Sequence, residues 1–475
     1  MTMKTAFKYD DIPRVWVSIP IETKAREYHA KLLLSCVAAE AGFGVILGRK
    51  GILEFNVRFL PRGILFSNNI LTGKERLFRR YGKMGYTVAA WCEEGVAYRN
   101  RDSYQNERVS RDAMGELERF FAWGNYHAED VRQATDFSDH RKIVPGGSPR
   151  LDLLRPEFRG FYRDEADKIC AQHGRIVLVN TNFHRFNHFL GRGTYLRDLK
   201  KKGKMPTAER EAFFQEWIDF LERMYGAFSK MLRPLSAALP DHTIIVRPHP
   251  SEDHDAWRKE TKGLSNVKVL HEGSSLPWIL ASEVVVHNSC TTGIEAFAMD
   301  VPVVSYEPFS SETYDSFLPN AVSRQAVNEK ALVSMVKALT SGEDMGEGYE
   351  GEEKRETARK FFGGLEGPLA SENIVESLRQ LRVRPRPFAP NHAHALAREL
   401  AVRTVLPVRS SFRKIVHSPH PQAIYFQQKF PPLPLSEVQS DLSRLKKISG
   451  RFKGVQAVEI GETLFCLTSP AEEKG

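Results

Sequence analysis

The chain has 475 residues, 41% of them hydrophobic and 27% charged, which fits a globular enzyme of at least two domains and excludes a disordered or fibrous chain. No apolar run approaches the ~20 residues that span a bilayer, and Met1–Arg14 lacks the apolar stretch of a secretory leader, so a cytoplasmic location is expected. Five scattered cysteines (Cys36, Cys92, Cys170, Cys290, Cys466) without a C-x-x-C pair argue against a disulfide framework or a zinc site.

The elements come in an alternating order. Val15–Pro20 reads as a buried strand, Arg26–Ala41 as a helix ended by Gly42, and Gly44–Gly48 as the next strand. Gly63–Ser67, Thr87–Trp91, Phe120–Trp123 and Lys142–Pro145 are further short apolar runs, with helical periodicity over Lys74–Met84. The pattern restarts with strand Arg175–Asn180 and a long helix around Thr207–Leu239. Strands Thr243–Arg247, Val267–Leu270 and Val284–His287, helix Thr291–Met299 and strand Val301–Tyr306 follow. Such alternation predicts βαβ units and parallel sheets.

The expected fold is therefore α/β, with two Rossmann-like domains facing a central cleft, the GT-B architecture. The expected boundaries are 1–165 for the first domain and 166–380 for the second, with Gly146–Leu154 at the hinge. Ser341–Lys354 reads as an exposed loop. Residues 381–421 form a basic Pro/Arg-rich connector and 422–475 a small terminal module, with Ala423–Lys429 and Gln456–Leu467 as strands flanking a helix Ser436–Ile448.

The formal net charge is +9, and much of the excess lies in 382–420, where eight Lys and Arg stand against Glu399. That segment fits a solvated connector and equally a peripheral contact with anionic headgroups on the inner face of the cytoplasmic membrane. No nucleic-acid motif accompanies it.

Three clusters fall just past strand ends, where α/β sheets bind ligands. The turn Glu93-Glu94-Gly95 offers a carboxylate as general base for a sugar hydroxyl. In Arg247-Pro248-His249-Pro250 the prolines fix the backbone, so that Arg247 and His249 are placed to meet a leaving phosphate. In His287–Ala296 a strand runs into a helix whose first turn, with Ser289, Thr291 and Thr292, suits a phosphate, and Glu295 suits ribose hydroxyls. Asn182, after the first strand of the second domain, is a further donor contact, and Lys24 and Arg26 are acceptor candidates.

The ordered set Glu93-Glu94-Gly95, His249-Pro250 and Ser289 resembles the D/E-D/E-G, HP and S/T motifs of bacterial GT-B sialyltransferases and Kdo transferases. Together with Gly147–Asp152, it resembles the bacterial surface carbohydrate biosynthesis proteins. The resemblance spans roughly Val15 to Tyr306. It implies a glycosyltransferase that moves a 3-deoxy-ulosonic sugar from a CMP donor to a glycan or lipid-linked glycan, without metal or other cofactor. Glu93 or Glu94 would be the base, and His249 and Ser289 would contact the donor phosphate. Asp300 stands where related enzymes often carry Gly. The alternatives are a CDP-glycerol-type polyol-phosphate transferase, a sugar-nucleotide 2-epimerase and a non-catalytic polysaccharide assembly protein.

Overall fold

The computed structural model describes residues 15–95, 98–137, 139, 141–343, 351–383 and 429–470. The strands run in chain order as β1 Trp16–Ile21, β2 Gly44–Arg49, β3 Ile64–Ser67, β4 Thr87–Trp91, β5 Arg119–Phe121 and β6 Ile143–Val144. Next come β7 Ile176–Asn180, β8 Thr243–Arg247, β9 Val267–Val269, β10 Val284–His287, β11 Val303–Tyr306 and β12 Arg324–Ala326, then β13 Gln456–Gly461 and β14 Leu464–Thr468.

Two sheets result. The first has the order β13-β14-β2-β1-β3-β4-β5-β6 and the second β12-β11-β10-β7-β8-β9. Strands β1 to β6 pair in parallel, as do β7 to β12. Parallel strands are covered on both faces, which is why β1 (WVSIPI) and β7 (IVLVN) are buried at every position. Alternate residues feed opposite cores: Val177 and Val179 join one, Ile176 and Leu178 the other.

Strand order reverses between β1 and β3 in the first sheet and between β7 and β10 in the second. Loops leaving neighbouring strands in opposite directions open a crevice at such a point, and ligands settle at its carboxyl end. The two bodies are joined near these ends, where Arg150 bridges the Glu93 carbonyl beyond β4 and Glu295 beyond β10, in keeping with a GT-B architecture.

Helix Lys24–Glu40 is buried nearly all round, from Leu32 to Ala39. A helix apolar on every side needs covering on every side. The cover comes from distant chain: Ile374, Val375 and Leu378 of helix Ala370–Arg379, and Val438, Leu442 and Leu445 of helix Leu435–Ser449. Each such side chain, fully buried, contributes roughly 1.5–3 kcal/mol.

This corrects several expectations. Residues 429–470 are not a separate small module, because β14 pairs antiparallel with β2 and β13 with β14, extending the first sheet. Gln456–Leu467 is a hairpin rather than one strand, since the chain turns through Glu462 and Thr463, the latter at φ 51°. Residues 370–380 likewise pack on the first domain, not the second. The expected loop Ser341–Lys354 shortens, because a helix already begins at Glu352. Most of the basic segment (384–420), and all of the expected strand Ala423–Lys429 except Lys429, lie outside the described residues. No helix among the described residues is long and apolar enough to cross a membrane.

Candidate active site

The acidic turn is built by close packing. Beyond β4 the chain reverses through Gly95, whose N–H donates to the Cys92 carbonyl at 3.2 Å. A Cβ at Gly95 would stand 2.4 Å from His127 Cε1 and 2.5 Å from Trp123 Cδ1, so this position demands glycine. Behind it, His127 is buried and accepts from the Trp123 N–H at 3.0 Å, which fixes the turn's floor.

The two carboxylates then part company. Glu93 Oε1 accepts from Lys31 Nζ at 2.7 Å and from Trp91 Nε1 at 2.8 Å. Lys31, only 2% exposed, also reaches Glu27 at 2.7 Å, the Pro20 carbonyl at 2.7 Å and Asn68 at 3.1 Å. Burial raises the Glu93 carboxyl, but Lys31 and then Arg26 outweigh it, leaving the group below its ordinary value. Glu93 is thus a fixed support.

Glu94 turns outward, its side chain 36% exposed against 12% for Glu93. It pairs with Arg26 at 3.4 Å and with Arg108. Burial again raises its carboxyl, and Arg26 and Arg108 together bring it below the usual value. The ionised acid of the cleft is Glu94. Arg26 therefore lies beside the acidic turn, whereas Lys24 is drawn elsewhere: its ammonium is spent on the Pro432 carbonyl at 2.6 Å and on Glu437 at 2.7 Å. Lys24 fastens the C-terminal helix and is not an acceptor contact.

Opposite, β8 delivers Arg247 and His249. Arg247 is buried and donates to the carbonyls of Glu272 at 2.8 Å and Gly273 at 2.7 Å, lying over Trp278. Its donors on those carbonyls shape the loop before helix Ser275–Leu280, so the expected phosphate clamp is instead a scaffold. His249 is held by its neighbours: its own N–H donates to Glu252, and its Nδ1 accepts from the Ser251 N–H at 3.1 Å. The neutral ring therefore carries its proton on Nε2. Burial, then Arg185, His271 and Arg26, push its pKa down to about 3, so it remains neutral.

His184 was not foreseen. Its ring stacks on His249 with centroids 4.4 Å apart, and its Nδ1 meets Asn182 Oδ1 at 2.9 Å. Asn182 also donates its N–H to Asn288 Oδ1 at 3.1 Å, tying the loops after β7 and β10 across the reversal of strand order. Beside them Asn180, 3% exposed, leaves Nδ2 without a hydrogen-bond partner.

Ser289 adopts φ 43°, a region costly for a residue with a side chain. Its hydroxyl donates to Asp315 at 3.1 Å and accepts from Asn320 at 3.1 Å, which anchors the turn. Thr291 and Thr292 form the first turn of helix Thr291–Ala298, partly exposed. Gly293 is needed there, since a Cβ would come within 2.4 Å of His287 Nε2. Glu295, expected on ribose, is instead paired with Arg150 at 2.6 Å and accepts from Ser275 at 3.2 Å. Arg150 also donates to the Glu93 carbonyl at 3.3 Å, joining the domains. Two small recesses flank this bridge, one lined by Lys31, Trp91 and Glu93 and the other by Thr291 and Ile294.

The two sides do face each other. The charges of Arg26 and Glu94, from the first domain, both act on His249 in the second. Arg185 acts on both Glu94 and His249. Among the described residues, no three His, Cys, Asp or Glu side chains converge as a metal site requires.

No family model and no curated protein matches the sequence. Solved structures of similar shape include a putative UDP-N-acetylglucosamine 2-epimerase from Listeria monocytogenes, 12% identical, covering 78% of this chain and 99% of that one at a TM-score of 0.48. The wall teichoic acid polymerase TagF is also 12% identical, covering 78% and 89% at 0.48. UDP-GlcNAc 2-epimerase from Neisseria meningitidis, bound to UDP-GlcNAc, is 12% identical, covering 77% and 100% at 0.45. Likeness at this level is one of shape and carries nothing about chemistry.

Proposed function

We propose that this chain is a glycosyltransferase of surface carbohydrate assembly, transferring a 3-deoxy-ulosonic sugar from a CMP donor to a hydroxyl of a glycan. The reading rests on one juxtaposition: ionised Glu94 of the first domain across from neutral His249 of the second. In this scheme Glu94 accepts the proton of the acceptor hydroxyl as its oxygen bonds to the anomeric carbon. The bond from that carbon to the phosphate oxygen breaks, and CMP departs with the electron pair. His249 Nε2–H and the N-terminus of helix Thr291–Ala298 receive the charge that develops on the phosphate. An acidic substrate drawing Arg26 or Arg108 away from Glu94 would raise the basicity of that carboxylate where it is needed.

The polyol-phosphate alternative favours a histidine base in the first domain. Of the described histidines there, His127 is buried against Tyr104 and Trp123, and His29 lies against Asp441 and Tyr162. Glu94 therefore favours glycosyl transfer. The test is release of nucleotide from a panel of CMP-sugars and CDP-glycerol, with acceptor present. CMP release, lost in Glu94→Gln and weakened in His249→Ala, supports the reading. Turnover of CDP-glycerol alone overturns it.

A further inference from the structure

Among the described residues, the arginines named at the cleft are, with one exception, spoken for. Arg26 and Arg108 pair with Glu94, Arg99 and Arg210 with Glu107, and Arg150 with Glu295, while Arg247 is held by two carbonyls. Arg185 has no carboxylate within ion-pair distance among the described residues. Its single side-chain hydrogen bond runs from Nε to the Tyr195 hydroxyl at 3.4 Å.

Its guanidinium is nevertheless fixed. It lies 4.5 Å from the ring centre of Trp217 and 5.6 Å from that of Tyr195. Arg99 also lies over Trp217, at 4.5 Å, and Tyr314 stacks on the same indole. Stacking holds a guanidinium by its face and leaves its N–H edge available for a planar anion. A partly buried cation without a direct ion-pair partner is costly, and a bound anion offsets that cost. Arg185 follows His184, whose ring stacks on His249, and it shares the Trp217 indole with Arg99 of the first domain, which places it beside His249 where the two domains meet.

We propose that Arg185 is a specificity-determining anion subsite, engaging a second negatively charged group of the substrate besides the phosphate at His249. This rests on the cleft being a nucleotide-donor site and names what the donor must carry beyond its first phosphate. A carboxylate on the transferred sugar and a second phosphate share the required chemistry, a planar or bidentate pair of oxygens.

Calorimetry on the full chain tests this with CMP, CDP, CMP-N-acetylneuraminate and, without any nucleotide, inorganic pyrophosphate and free N-acetylneuraminate. The wild type should bind the doubly anionic nucleotide that matches the subsite at least tenfold more tightly than CMP. Arg185→Gln should remove most of that advantage while CMP affinity stays within about twofold, and it should weaken the matching free anion at least tenfold. Preference for the CMP-sugar and free sialate assigns a carboxylate, and preference for CDP and pyrophosphate assigns a phosphate. Arg185→Lys, which keeps the charge and loses the stacked fork, should fall between and guards against a folding defect in the glutamine variant. Equal anion binding in wild type and Arg185→Gln, or no anion binding by the wild type, overturns the assignment. Anion binding that depends on Arg185 without any cytidine nucleotide binding overturns the nucleotide-donor reading and leaves the subsite standing.

Discussion

Arg150 donates one terminal nitrogen to Glu295 of the second domain at 2.6 Å and the other to the carbonyl of Glu93 in the first at 3.3 Å. Arg150 and Glu295 are each 11% exposed, so this is a shielded pair and not a surface ornament. It fixes the acidic turn relative to the helix that starts beyond β10. Removing one partner strands the other's charge, at a cost of about 3–5 kcal/mol. Arg150→Met and Glu295→Gln should each lower the melting temperature and raise KM, while the double variant should be less damaged than the sum. Additive losses in a double-mutant cycle would show that the two do not act together.

The carboxylates of the acidic turn should separate by phenotype. Glu94→Gln should lose at least a hundredfold in kcat with donor affinity and melting temperature nearly intact. Glu93→Gln should instead destabilise the fold by roughly 2–4 kcal/mol, since Lys31 loses a partner in a buried network. Chemical denaturation set beside nucleotide release decides between them. The reverse pattern would exchange their roles.

Gly95→Ala tests the packing beneath the turn. The added methyl meets His127 and Trp123 well inside contact distance, so about 1–3 kcal/mol of destabilisation is expected. Because the turn carries Glu94, kcat should fall as well. A variant that melts and turns over like wild type would mean the turn relaxes without consequence.

Acid should weaken this protein through its buried histidines. His249, His127 and His287 are pushed down to about 3 by burial, aided at His249 by Arg185, His271 and Arg26. A histidine in the unfolded chain titrates near 6.5, so below that pH the unfolded state binds protons that the folded state refuses. Their contribution is complete above ~6.5 and is lost as pH falls toward the folded values, by at most ~1.4 kcal/mol per pH unit for each ring. Melting temperature recorded from pH 7.5 to 5 should therefore drop, and His249→Gln should drop less steeply. An unchanged slope in that variant would mean His249 is already charged in the folded state.

Much of the architecture could be read from local pattern. The runs WVSIPI, IVLVN, TIIVR and VVVH are apolar because both faces of their strands are covered, and that property survives in the sequence alone. β12, Arg324–Ala326, escaped notice because its three residues carry no such run. At the cleft, position after a strand told which residues approach it, but not what each side chain does on arrival. Arg247 turns to two carbonyls 25 and 26 residues away, and Glu295 to an arginine 145 residues away, contacts with no local signature. Lys31 left a trace: a lysine inside the apolar stretch of helix Lys24–Glu40 implies a buried counter-charge, here Glu27 and Glu93.

The pairing of β14 with β2 sets an order on assembly. As the chain is synthesised, the first six strands emerge early, yet the outer edge of β2 stays open and helix Lys24–Glu40 stays partly bare until residues near 468 arrive. The second sheet, lying wholly within 176–326, has all its strands long before that. The domain born first is thus completed last, and until then it presents a free strand edge and exposed aliphatic surface to any neighbouring nascent chain.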